Sequence, residues 1–321
     1  MPRRSLRTRL LSFVFFGSAA IGPVGAAGPA PRFDWPDGLV MDVSIRIDGS
    51  RTDGTAVTAS WDVQGTSRWS VRRDGGRSFI ERPAFGGWEG KQPPSGGVLP
   101  FRLVEFVPRL VVGRDGSFFG VEGIDAERAR IVAAFPELRA GDPMIKALVE
   151  ASTRDEGLRA VAEDFWTTFV GLWLMAGAEV HDGYAFANRA RVPQLGGGEL
   201  DIRGVASLES MSDCVRGGVK RRCATLRFVS SVDQDQFKAL AQKLVDTAGG
   251  PELRWLAFDQ RKELTVIAEL DTLIPHRATI RSESLMEVEY EGQRDKRLET
   301  TKKEYRFEHV APVAPAGTSA N

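Results

Sequence analysis

The 321-residue chain balances 43 lysines and arginines against 43 aspartates and glutamates, so it carries no global basic field for nucleic acid. Its 42% hydrophobic content and seven tryptophans exclude a disordered chain and supply apolar side chains for a large core. With three histidines and two cysteines in all, soft metal ligands are scarce.

The chain opens with the layout of a secretory signal peptide over residues 1–26. Arg3, Arg4, Arg7 and Arg9 form a positive start, Leu10 to Ile21 is a short apolar run, and Val24-Gly25-Ala26 places small residues before Ala27. The run falls short of the about 20 apolar residues of a spanning helix, so the expectation is no integral membrane span after cleavage. An uncleaved anchor is the alternative. Arg3-Arg4 resembles a twin-arginine export signal, although one apolar residue, Leu6, precedes Arg7. No cysteine at the cleavage region offers a lipid anchor. The expected location is exported, periplasmic or extracellular, and not lipid-anchored.

The next third reads as antiparallel strands. Met41, Val43, Ile45 and Ile47 alternate with polar residues, and Val57, Ala59, Trp61 and Val63 repeat the pattern after a turn at residues 49–54. Trp69 and Val71 continue it, and Asp74-Gly75 turns the chain into Ser78-Phe79-Ile80. Glycine after aspartate supplies the positive φ of such turns. Residues 83–100, rich in Gly and Pro, read as a long loop. Strands are expected again over 101–106 and in a hairpin about Asp115-Gly116.

The middle, residues 122–178, reads as helical. Asp125 to Phe135 has apolar spacing of three and four, Asp142-Pro143 is an N-cap followed by proline, and Ser152 is a candidate cap for a helix from Thr153 to Ala176. On that helix Phe165, Trp166, Phe169 and Trp173 form an aromatic face that is either the dry core or the lining of an apolar pocket. Strands return from Leu200, an amphipathic helix runs from Asp233 to Thr247, and a strand covers Glu263 to Leu270. Over Arg277 to Glu291, Ala278, Ile280, Ser282, Ser284, Met286, Val288 and Tyr290 share one face. Glu283, Glu287, Glu289 and Glu291 share the other, opposite Arg294, Lys296, Arg297, Lys302 and Lys303 on the return strand. Tyr305 and Phe307 are out of phase with Leu298, which predicts a bulge between them. Residues 310–321 read as a flexible tail.

Cys214 and Cys223 flank Gly217-Gly218 and four cations, Arg216, Lys220, Arg221 and Arg222. In an exported chain a close pair reads as a disulfide. No histidine sits at a sequence spacing that completes a zinc set with the cysteines, and eight intervening residues are not a redox C-x-x-C. The expected result is a stapled hairpin, stabilised by about 2.7 kcal/mol through loop closure. Its four cations are either a solvated turn or a contact surface for an anionic partner.

These elements predict an α+β fold. A long, curved, half-barrel-like antiparallel sheet packs on a few helices in one β-rich domain, residues 27–309. On the alternating segments MDVSIRID, VTASWDV and RATIRSESLMEVEYE, with the helix EDFWTTFVGLWLM between them, the layout resembles the periplasmic lipoprotein-carrier superfamily (LolA/LppX-like half-barrels). That resemblance implies binding of a lipid or another apolar partner and no chemistry. It carries over no site residue.

No catalytic signature is present. His181-Asp182 sits at an Asp-Gly turn, there is no G-x-S-x-G elbow, and Gly196-Gly197-Gly198 lacks the Lys-Ser/Thr of a phosphate loop. No catalytic residue, metal or cofactor is assigned. The sequence therefore predicts a non-catalytic envelope protein for a lipid-like or apolar small molecule. The alternative is a structural or interaction role with an envelope protein partner. An enzyme would require His181 or His276 to meet a carboxylate within hydrogen-bond reach in a cleft.

Overall fold

The computed structural model describes residues 31–82, 85–93, 106–134, 150, 153–177, 183–192, 198–247 and 253–310. The expected signal peptide, the strand over 101–105, the Asp142-Pro143 and Ser152 caps, His181-Asp182 and the tail beyond 310 lie outside the described residues.

Six strands come first: β1 (Val40–Asp53), β2 (Ala56–Asp74), β3 (Arg77–Glu81), β4 (Phe85–Lys91), β5 (Arg109–Gly113) and β6 (Phe118–Glu122). Helix α1 (Ile124–Ala134) follows. Helix α2 begins as Asp155–Trp166, passes through a π-helical turn at Thr167–Gly171 and resumes as Leu172–Ala176. Strands β7 (Tyr184–Val192), β8 (Gly198–Arg216) and β9 (Val219–Val232) precede α3 (Gln234–Thr247). Strands β10 (Leu253–Glu269), β11 (Pro275–Tyr290) and β12 (Gln293–Val310) are the last elements among the described residues. The twelve strands form one open sheet in the order β6-β5-β3-β2-β1-β12-β11-β10-β9-β8-β7, with β4 beside β2. The paired strands are antiparallel. The molecule is thus mostly β, with three helices among the described residues.

The sheet must wrap. Inward residues from β2 to β7, including Trp69, Met41, Tyr305, Ile280, Leu264, Leu226, Ala206 and Phe186, belong to one continuous buried cluster with α2. Eight strands spaced about 4.8 Å apart would span roughly 34 Å if flat. A helix about 10 Å across could not cover that width. Curvature brings the inner face onto α2, whose aromatic residues fill it. Phe165 lies 4.8 Å from Trp69 ring to ring, and Phe169 lies 5.2 Å from Tyr305 and 5.4 Å from Phe307. Trp166 packs edge-on to Trp35, and its indole N–H donates to the Gly116 carbonyl at 2.8 Å. A second cluster forms under α3, where Phe237, Ala241 and Val245 recur at helical spacing and meet Trp255, Phe258, Met286 and Val288.

Turn chemistry is local and matches its residues. Gly54 and Gly75, each after an aspartate, have positive φ at the β1–β2 and β2–β3 turns. Three expectations are corrected. Residues 83–100 are not a continuous loop, because Phe85–Lys91 pairs with β2 as β4. Strand β10 starts at Leu253, ten residues before the expected start. Strand β12 carries no bulge, for its pairing with β1 and β11 runs without a register shift from Arg297 to Arg306. The inward residues are odd-numbered throughout: Arg297, Glu299, Thr301, Lys303, Tyr305 and Phe307. The apparent phase change arose because Leu298 was taken as inward, whereas the buried residue there is Arg297.

Phe169 touches rings from three directions, so Phe169→Ala should create a cavity and cost about 3–5 kcal/mol. Urea denaturation of the purified protein measures this. A loss below about 1 kcal/mol would mark the ring as lining open space instead.

Candidate functional site

The charged reversal on β12 continues across its neighbours. Arg51 of β1, Glu299 of β12, Ser284 of β11 and Gln260 of β10 are direct cross-strand partners on the inner face. All four are buried. Arg51 Nη2 donates to Glu299 Oε2 at 3.2 Å, and Gln260 Nε2 donates to Ser284 Oγ at 3.1 Å. One step toward the second cluster, buried Arg297 pairs with Asp53, Nε to Oδ1 at 3.0 Å. One step the other way, Gly49, Thr301, Ser282, Lys262 and Ser230 form the next row. A Cβ on Gly49 would lie 2.5 Å from both the Thr300 carbonyl and the Trp61 ring, so glycine is required there. Lys303 occupies the row after that, between Ile47 and Ile280. A polar belt therefore separates the two apolar clusters on one concave face.

Helix α2 adds an acid to this belt. Asp164 is buried on the helix that plugs the sheet. Burial pushes its carboxyl up to about 7, against the opposing pull of Lys262 and Lys303. Burial likewise depresses Lys262 and Lys303 to about 8, while Asp164 pulls them back up. Burial raises the neighbouring Tyr305 hydroxyl to about 12. Arg297 and Lys303 were expected on the outer face, opposite the glutamates, and that placement is corrected here. Arg294 and Lys296 do face Glu289 and Glu287 from β12. The outer face also holds a shallow depression of about 410 Å³, where Asp48, Glu263 and Glu283 mingle with Arg261, Arg281 and Lys302. That mixture is a solvated charge ladder.

The other candidate residues fall elsewhere. Trp166, Phe169 and Trp173 are fully buried, and Phe165 is partly buried against the same cluster. Cys214 and Cys223 form a disulfide, with Cα atoms 5.8 Å apart, across the β8–β9 hairpin. Lys220, Arg221 and Arg222 are exposed near its tip. Arg216 is not free with them, because its guanidinium reaches Glu269 at 2.7 Å and 3.2 Å.

Glu269 is the hub at the hairpin base. Burial raises its carboxyl, but donors from His276, Arg216 and Thr272 overcome this and hold it down at about 2. His276 Nε2 lies 3.2 Å from Glu269 Oε1, so this histidine does meet a carboxylate. The carboxylate is already engaged by Arg216 and Thr272, which makes it an anchoring anion for the hairpin. His309 stands 4.8 Å from His276 ring to ring, and burial, with the charge of His276, depresses it to about 4. Sequence spacing hid this group, since the β9–β10 and β11–β12 pairings assemble it.

No family model matches the chain, and no curated protein matches it. No match supports the expected likeness to lipoprotein-carrier half-barrels. Among solved structures, one describing lipid–protein interactions in lipovitellin aligns with 89% of this chain at 8% identity and a TM-score of 0.38. This chain spans only 27% of that one. The COG4313 outer membrane channel from Pseudomonas putida F1 aligns with 88% of this chain and 100% of its own, at 5% identity and a TM-score of 0.17. Likenesses this loose carry no argument about function.

The belt generates a pH prediction. In the folded chain Asp164 binds its proton up to about pH 7, whereas an unfolded carboxyl releases it near 3.8. From about pH 4 to 7 the folded state holds more protons, so this group lowers stability as pH rises. Lys262 and Lys303 act in the opposite sense from about 8 to 10.5, where stability recovers. Asp164→Asn should remove the acid-side fall. Urea midpoints at about pH 5 and pH 7 test it, and equal pH dependence in both proteins would refute the raised Asp164.

Proposed function

We propose that this chain is an exported, non-catalytic binding protein that holds a lipid-like amphiphile with an anionic head on the concave face of its sheet. One observation carries the reading. Along the same central strands, the buried face changes from aromatic and aliphatic residues to a belt containing Arg51, Arg297, Lys262 and Lys303. Against these four cations the described belt sets Asp53, Asp295, Glu299 and Asp164, and burial pushes the Asp164 carboxyl up to about 7. Buried ions cost several kcal/mol each in desolvation, so an interior built only for stability would omit them. An apolar tail matches the aromatic side, and an anionic head matches the cations that line the belt.

Native mass spectrometry of the chain, exported to a bacterial periplasm and purified gently, tests this. The expected result is an added mass that organic extraction removes and that proves to be an anionic lipid. Lys262→Met with Lys303→Met should lower its retention. A clean apo mass, together with no uptake of labelled phosphatidylglycerol from vesicles, overturns the reading. A retained protein in place of lipid would move it to an interaction role. The first surface to mutate would then be the hairpin tip, where Val215 and Val219 are exposed beside Lys220.

A further inference from the structure

The stapled hairpin ends against two histidines that the binding reading does not use. The sulfurs of Cys214 and Cys223 and a ring nitrogen of His276 all lie within 4.8 Å of one another. Cys223 is fully buried, and Cys214 and His276 are half-buried. Three strands beyond the hairpin in the sheet, β12 brings His309 beside His276. The Nε2 atom of His309 is buried with no hydrogen-bond partner. A buried imidazole nitrogen left in that condition is unfavourable unless something binds it. Glu269 stands behind His276 at 3.2 Å, the carboxylate that ordinarily orients a metal-bound imidazole.

We propose that, once the disulfide is reduced, Cys214, Cys223 and His276 form a zinc site with His309 as its fourth ligand. Two cysteines and two histidines are a common tetrahedral zinc set, and thiolate with imidazole favours zinc over calcium or magnesium. The hairpin base is then closed either by the disulfide or by the metal. The exchange balances with a dithiol reductant. Its two thiols give two electrons and two protons to the Cys214–Cys223 bond and become a disulfide, and the two cysteines become thiols. Zinc binding then displaces both thiol protons, leaving two thiolates on the metal.

The test compares oxidised and phosphine-reduced protein, each titrated with zinc alone under anaerobic conditions in competition with a chromophoric chelator. The oxidised form should retain none, and the reduced form one equivalent. In the reduced form His276→Ala and Cys214→Ser should lose that equivalent, and Glu269→Gln should weaken it about tenfold. Cobalt in place of zinc reads the ligands directly. The thiolate-to-cobalt band in the near ultraviolet should be present in the reduced wild type and persist in His309→Ala with weakened binding. Circular dichroism of each variant shows that it is folded. Equal zinc binding by oxidised and reduced protein overturns the proposal, as does a reduced His276→Ala protein that binds like the wild type. Absence of the thiolate band in the reduced, folded wild type overturns it too.

Discussion

A one-sided sheet of this width can be buried only if it closes on something, and here it closes on the aromatic face of α2. Trp35, Trp69, Tyr305 and Phe307 converge on Phe165, Trp166 and Phe169. Each such ring buries about 150–250 Å² and adds an oriented ring contact. Those contacts set the curvature, and the curvature decides which strands share an interior. The long hairpins β1–β2, β8–β9 and β11–β12 supply the wall. Their turns need only a few residues of positive φ, among them Gly217-Gly218 and Glu291-Gly292.

The same closure explains the charged belt. Strands β10 and β11 run from the α2 cluster to the α3 cluster with β12 and β1 alongside, and between the two clusters lies a polar zone. There the strands turn Arg51, Arg297, Glu299 and Lys303 inward. The ladder meets part of the desolvation cost, since Arg51 finds Glu299 and Arg297 finds Asp53 in direct register. Asp164 reaches the belt from α2, so the helix that completes the core also brings a carboxyl to Lys262 and Lys303. Core and charged belt are thus two parts of one face.

At the opposite end of the long strands, Glu269 ties the hairpin base together. It engages Arg216 from β8 and His276 from β11 and closes the turn through Thr272. A carboxylate so well supplied with donors stays ionised in a buried place. The hairpin is consequently held by a covalent bond and an ion-pair hub that lie side by side.

Alternation along β1, β2 and β11 was legible in the residues themselves, as were α1, α3 and the disulfide pair. Period-2 and period-3.6 patterns and short turns are local properties of the chain. Strand β4 was not legible, because Gly86-Gly87 and Gly90 read as loop residues while its pairing comes from β2. The first half of β10 was hidden by the register shift between Trp255 and Ala257 and by Gln260 and Lys262 facing inward. Strand β12 was misread for the same reason, since the expectation that inward means apolar placed Leu298 where Arg297 sits. Sequence alone thus determined most of the strands, the main helices and the stapled turn. Only the tertiary structure decided that charges line part of the interior and that His276 meets the cysteines with His309 at its side. Those outcomes depend on strand order and cross-strand register, which join residues far apart in the chain and leave no periodic trace along it.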